Sequence, residues 1–326
     1  MADFSRLLPY LSRRVLITAH RNPDGDAIGS CLAMYGVVEF MGGSAHIYSQ
    51  DPYDPEFEYL EDFPLVSNEA GDIASYDMVL VCDTGSIELL GEAVKPLFAD
   101  ASHIISPRPF TVALDHHRTR DPFCDFEIVD DSASAVGVLI GDLMRAGKIP
   151  MSRKIGKALW CSIFTDTGGF RYGSTDARTL ALGESLLEAG VDAWEAAQAI
   201  YESNPLGRIK LLGMALSSLE VRFDGRVAGL CLDREAVLKS GYPLSLSSGF
   251  VNYGRSIKGV EMAFFIRPSI EPADLYRVSF RSRGTYPVDE IAARLGGGGH
   301  RNASGCRVTA PSVQDAMEQV FSTVSR

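Results

Sequence analysis

Residues 15–30 read VLITAHRNPDGDAIGS: an apolar run, a polar turn with one imidazole and two carboxylates, then a glycine leading into a helix. Val15 to Ala19 is short, apolar and partly β-branched, which predicts a buried strand. His20, Asp24 and Asp26 follow at its carboxyl end, where open α/β sheets place ligands, with Pro23 and Gly25 shaping the turn. Carboxylates crowded at one spot raise one another's pKa unless a cation neutralises them, so the cluster points to a metal. Taken alone, the same turn reads equally well as an Asx cap on the helix starting near Ala27.

The pattern recurs along the chain. Residues 27–41 carry Ile28, Leu32, Met34, Tyr35 and Val38 at helical spacing, stop at Gly42-Gly43 and precede a strand at Ala45–Tyr48. Met78–Cys82 is a second buried strand, running into Asp83-Thr84-Gly85, and Thr111–Leu114 delivers Asp115-His116-His117. A strand at Cys124–Val129 and helices at Ser134–Ala146 and Arg153–Phe164 follow, the last ending in Asp166-Thr167-Gly168. Strands alternating with helices predict an α/β fold whose N-terminal domain is a mainly parallel sheet with helices on both faces. Residues 1–190 are expected to form this domain, 191–218 a helical linker broken at Asn204-Pro205, and 219–326 a smaller α/β domain across a cleft. In that second part Asp224-Gly225 signals a hairpin. Strands at Val260–Ile266 and Tyr276–Phe280 and a helix at Val288–Leu295 lead into Gly296-Gly297-Gly298-Gly299-His300.

Composition narrows the function classes. With 326 residues, 46% of them hydrophobic, the chain can bury two cores. No apolar run reaches membrane-spanning length and the N-terminus lacks the features of a secretory signal, so a cytoplasmic protein is expected. The six scattered cysteines suit reduced core thiols. A net charge of −11 argues against gripping long duplex nucleic acid, which needs an extended basic face. A mixed His/Asp set suits Mn²⁺ or Mg²⁺ better than a thiolate-bound metal. His20, Asp24, Asp26, Asp83, His116 and Asp166 together bring four negative charges, matching two divalent ions. The glycine run frees backbone N–H groups to approach an oxyanion, or serves as a tight turn or hinge. Arg255, Arg281 and Arg301 are candidate phosphate partners or surface ion pairs.

Four stretches, His20-x-x-x-Asp24-x-Asp26, Asp83-Thr84-Gly85, Asp115-His116-His117 and Asp166-Thr167-Gly168, resemble the ordered motifs of the DHH phosphoesterase superfamily. The glycine run with Asn302-Ala303-Ser304-Gly305 resembles the loop of the associated DHHA1 domain, with Ser304 where alanine is common. The branch most similar is that of the oligoribonucleases (nanoRNases) and 3′-phosphoadenosine 5′-phosphate (pAp) phosphatases. The resemblance implies that His20 and Asp24 bind one metal, Asp26, His116 and Asp166 the other, and that Asp83 bridges them, two Mn²⁺ (or Mg²⁺) ions in all. It implies that Asp115 orients an imidazole and that His117 contacts phosphate or donates a proton, so that Asp83, Asp115 and His117 carry the chemistry. Ser248, Phe250 and Asn252 resemble a substrate-lining stretch, beside Arg255, Arg281, Gly297, Gly298, Gly299 and His300. The expected activity is two-metal hydrolysis of short RNA oligonucleotides and of pAp, and a homodimer is a possible assembly. A cyclic di-AMP or pApA phosphodiesterase is the alternative, and a catalytically silent nucleotide sensor the rival from another class.

Overall fold

β1 (Arg14–Thr18) is the centre of the first unit, because the order in which strands are added reverses beside it. In the computed structural model, which describes residues 3–60, 65–98 and 108–324, the chain divides into units at Ser203/Asn204. After β1 come α1 (Gly25–Phe40), β2 (Ser44–Tyr48), β3 (Val66–Ser67), β4 (Met78–Cys82), β5 (Phe110–Asp115) and β6 (Phe126–Val129). The six strands lie in the order β3-β2-β1-β4-β5-β6, and every pairing is parallel. The chain therefore leaves β1 toward β2 on one side and finds β4 on the other, which opens a crevice beyond the carboxyl ends of β1 and β4.

The further α-helices among the described residues of this unit are α2 (Val136–Ala146), α3 (Arg153–Asp166), α4 (Ala177–Glu188) and α5 (Ala193–Tyr201). Alternation along the strands sorts the cores. Met78, Leu80 and Cys82 face the cluster built with α1, α2 and α3, while Val79 and Val81 face Tyr48, Leu90, Val94 and Leu97. The second face is covered by 3₁₀ turns at Ile73–Ser75, Ile87–Leu89 and Lys95–Leu97. The approach of α1 to α3 depends on glycine: a methyl at Gly29 would stand 2.5 Å from the Ala158 carbonyl oxygen, and one at Gly36 2.6 Å from the Ile155 side chain. No larger residue permits that spacing, and it is what brings the start of α1 to the end of α3.

The second unit comprises α6 (Leu206–Ser217), β7 (Glu220–Arg222), β8 (Val227–Cys231), α7 (Arg234–Ser240), α8 (Val251–Arg255), β9 (Met262–Pro268), β10 (Leu275–Ser282), α9 (Val288–Arg294), β11 (Gly298–His300), β12 (Ala303–Thr309) and α10 (Val313–Val324). Its sheet runs β11-β12-β10-β9-β8-β7, antiparallel except for β8 with β9. One face packs on α9 and α10 through Phe264, Phe280 and Phe321, and the other on α6, α7 and α8 through Leu211, Val237, Phe250 and Phe265. The stretch 191–218, expected as a linker, is shared out instead. Ala196 of α5 packs in the first core and Leu211 of α6 in the second, so the boundary falls between them. No described helix is long and apolar enough to cross a membrane.

Candidate metal centre

His20 leaves the end of β1, held by a bridge to Leu90 and with Nδ1 2.9 Å from the Arg21 carbonyl oxygen, so its Nε2 is presented outward. Asp24 caps α1, its Oδ1 accepting from the amides of Asp26 and Ala27 at 3.1 Å each. The Asx reading of this turn is thus true of Asp24, whose side chain is also exposed and lies 3.9 Å from His20 Nε2. Asp26 points the other way and is buried: Oδ1 accepts from Ser30 Oγ (2.9 Å) and Ser162 Oγ (2.5 Å), and Oδ2 from the Val136 amide (2.8 Å).

Asp83 stands at the crevice floor, after β4, buried and with φ at +51°, a left-handed conformation that few non-glycine residues adopt. Its Oδ2 lies 3.6 Å from His20 Nε2, and its Oδ1 3.5 Å from His116 Nε2 and 3.7 Å from His117 Nδ1. That Oδ1 is buried without a hydrogen-bond partner. A buried lone acceptor is costly unless a cation or donor completes it.

His116 Nδ1 sits 3.1 Å from the Ala133 carbonyl oxygen, which aims Nε2 at three carboxylates: Asp83 and Asp166 at 3.5 Å and Asp26 at 3.6 Å. Asp115, wholly buried at the end of β5, holds His117 instead. Its Oδ1 is 2.7 Å from His117 Nδ1 and accepts the His116 amide at 2.9 Å, while Oδ2 takes Arg120 Nε at 3.2 Å. Arg120 is itself paired with Glu127. The two adjacent rings, with centroids 5.2 Å apart, are thus oriented by different partners while both approach Asp83 Oδ1.

Three sets of donors have ligand atoms within 4.8 Å of one another: His20, Asp24 and Asp83; Asp26, His116 and Asp166; and Asp83, His116 and His117. The electrostatics of the cluster fit a cation-binding site. Burial, with the charges of Asp83 and Asp166, pushes Asp26 up to about 8, and burial raises Asp166 to about 6 against the pull of His116. Burial alone would lower His20 and His116; the carboxylates override it, lifting His20 to about 11 and His116 to about 10. Burial also works to raise Asp83, yet its contacts with His116 and His20 hold it well below the carboxylate range. The orphaned Asp83 oxygen, the His/Asp donor types and this balance all suit hard divalent ions.

Sequence reasoning missed what holds these groups. Ser30 lies one turn after Asp26, a spacing of four that was a readable signal, whereas Ser162 reaches Asp26 from 136 residues away. Nothing local announces the Ala133 carbonyl or the Val136 amide.

The substrate residues expected in the second unit are placed there separately. Ser248, before α8, and Asn252, within it, are exposed, and the Ser248 carbonyl accepts from Arg208 at 2.8 Å. Arg255 lies near enough to Arg281 on β10 that, after burial, its charge is what lowers the Arg281 pKa. Arg301 is exposed. The glycine run is not a loop throughout. Gly298, Gly299 and His300 pair antiparallel with Gly305, Ser304 and Ala303. A methyl at Gly297 would meet the Gly305 carbonyl oxygen at 2.2 Å and one at Gly299, where φ is +138°, the Ser304 backbone at 2.6 Å. These two glycines are therefore required by the hairpin itself; Gly298 faces open space. The His300 side chain lies outside the described residues.

The DHH family, N-terminal domain, matches residues 14–163, and the DHHA1 domain residues 235–326. The chain is 28% identical over 312 residues to the bifunctional oligoribonuclease and PAP phosphatase NrnA of Thermus thermophilus, covering 95% of this chain and 89% of that one. It is 28% identical over 297 residues to the protein of the same name from Bacillus subtilis, covering 90% and 89%. Among solved structures, an exopolyphosphatase-related protein from Bacteroides fragilis shares the fold with a TM-score of 0.87 at 24% identity, over 98% of this chain and 94% of that one. With a metal-ligand constellation at the ends of β1, β4, β5 and α3, and both domain matches in order along one polypeptide, the chain belongs to the DHH/DHHA1 superfamily.

Proposed function

We propose that this chain is a metal-dependent phosphoesterase that hydrolyses short oligoribonucleotides to mononucleotides and pAp to AMP. The observation that carries it is Asp83: one buried carboxylate, one oxygen toward His20 and the other, unsatisfied, toward His116 and His117. His20, Asp24 and Asp83 would hold one divalent cation and Asp26, His116 and Asp166 a second, with Asp83 shared and Mn²⁺ preferred to Mg²⁺. Such a pair supplies Lewis acidity toward the phosphoryl oxygens and the attacking water. The protein's own groups do the rest. Asp115 fixes the His117 ring through Nδ1, leaving Nε2 to contact phosphate or give a proton to the departing oxygen. Ser30, Ser162 and the Val136 amide keep Asp26 from rotating. In the second unit Arg255 and Arg281 would pair with a terminal phosphate, with Ser248, Asn252 and the open side of Gly298 next to it. The relatives named NrnA, similar over most of both chains, support this choice of substrates.

The test is turnover with Mn²⁺ and with Mg²⁺ on pAp, di- to pentaribonucleotides, pApA and cyclic di-AMP. Release of AMP from pAp and of mononucleotides from the short RNAs is expected. Turnover confined to cyclic di-AMP or pApA would replace the reading by the cyclic dinucleotide one, and binding without any product by a silent sensor.

A further inference from the structure

Three arginines lie in one row across the sheet of the second unit. Arg277 on β10 is directly opposite Arg267 on β9 and Arg307 on β12, so all three side chains leave the same face on adjacent strands. Like charges opposite one another destabilise a sheet. Nothing nearby relieves the repulsion: among the described residues neither Arg277 nor Arg307 has an ion-pair or hydrogen-bond partner. Arg267 is half-buried, with Nη1 3.4 Å from the Leu244 carbonyl oxygen; burial, then the charge of Arg277, lowers its pKa. The row lines a groove of about 630 Å³ together with Leu244, Ser245 and Ser269. Glu271 is the one carboxylate in that lining and makes no ion pair with them.

The register also relates this row to the proposed phosphate site. Arg281 is on the same strand and face as Arg277, four residues on, and Gly298 joins that face through Gly305 and Ser279. Four residues of strand set the two basic positions about 13 Å apart. A mononucleotide does not span that distance; a chain of a few nucleotides does.

We infer that Arg267, Arg277 and Arg307 form a second phosphate subsite, which holds the backbone of an oligonucleotide whose end lies at Arg281. This rests on the oligonucleotide reading above, and makes the sheet face a gauge of substrate length: pAp uses the Arg281 end alone, longer chains use both. In a chain of net charge −11 the row supplies the local attraction that the overall charge withholds.

The test is binding by the metal-free full chain, in EDTA so that nothing is turned over, of fluorescein-labelled pentaadenylate, with pAp measured by competition. The double variant R277Q/R307Q keeps both side chains' reach and removes opposed charges, so the fold should be retained, as circular dichroism and thermal melting would verify. Pentaadenylate binding is expected to weaken roughly tenfold, as for loss of exposed charge-assisted contacts. The slope of log K against log salt should become less steep by about 1.4, two contacts to a single strand. Binding of pAp should not change. Unchanged pentaadenylate binding, or equal weakening for pAp, overturns the subsite. Turnover assayed in parallel keeps the two readings apart. Row-dependent binding with no hydrolysis by the wild type would sink the phosphoesterase and leave the subsite standing; hydrolysis of the pentamer with identical KM in wild type and variant would do the reverse.

Discussion

Ser162 on α3 donates its hydroxyl to Asp26 on α1 across 2.5 Å, and its oxygen accepts the Gly137 amide of α2 at 2.9 Å. One hydroxyl thereby ties three helices beneath the metal centre. A methyl at Gly137 would come within 2.2 Å of that oxygen, so glycine is needed opposite it. Ser162→Ala leaves a buried carboxylate oxygen short of a donor and a buried amide without an acceptor. We expect a loss of about 1–3 kcal/mol in the metal-free protein, read by urea unfolding. Metal affinity should fall by roughly 10–100-fold, as for other groups that orient a ligand.

Asp83→Asn keeps the shape of the side chain and removes the shared charge. Turnover should drop by at least about a thousandfold, the several kcal/mol that a two-metal clamp supplies. The same change removes a carboxylate that raises both His20 and His116, so their ring protons should titrate at lower pH in the metal-free variant, which NMR would follow. Wild-type turnover with unshifted histidines would contradict the assignment.

Metal uptake should release protons. In the metal-free protein His20, held at about 11, and His116, held at about 10, are protonated at neutral pH, whereas ligating imidazoles must be neutral. Protons therefore compete with the cation, and apparent affinity rises with pH. Calorimetry of Mn²⁺ binding in two buffers of different ionisation enthalpy measures the number released. A value of zero at pH 7 would contradict protonated imidazoles in the metal-free protein.

Arg178 bridges Asp130 (2.5 Å) and Asp142, fastening α4 to α2 and to the segment after β6. Burial works to raise Asp130, but its contacts with Ser132 and Arg178 prevail and hold it down at about 2. A carboxylate depressed in the folded state stabilises above its unfolded pKa, about 3.9, and loses that contribution as pH falls through the folded value. The stability gap between wild type and Arg178→Gln should accordingly be full above about pH 4 and shrink toward pH 2. Denaturant midpoints across that range would show it, the gap being modest because the pair is partly exposed.

Ser304 replaces the alanine expected in the second unit's loop, and its hydroxyl donates to the Val288 carbonyl oxygen at 2.5 Å, buried between β12 and α9. Ser304→Ala should cost about 1 kcal/mol, seen as a lower midpoint for unfolding of that unit.

Strand and helix identity was readable because it is local. Val15–Ala19, Met78–Cys82 and Thr111–Leu114 are short apolar runs ended by polar turns, and they recur as β1, β4 and β5 within a residue or so at either end. The glycine run was only half readable. Its composition says that backbone comes close to something; that this is the β12 backbone, at Gly297 and Gly299, depends on a hairpin whose second strand has no strong pattern of its own. The break expected at Asn204-Pro205 coincides with the division of the units at Ser203/Asn204, whereas the assignment of α5 to the first core and α6 to the second depends on packing that the local sequence does not show.

By itself the sequence determined an alternating α/β chain with carboxylates and imidazoles collected at the ends of its elements, because periodicity and turn chemistry act over a few residues. Tertiary structure alone decided which oxygens are buried, that Asp24 caps a helix while Asp26 is clamped by Ser162, and that Asp83 is left with an unsatisfied atom. It also decided that Arg267, Arg277 and Arg307 stand in one row. Such facts depend on strand register and helix separation, which are set by packing between segments far apart in the chain, and no local pattern carries them.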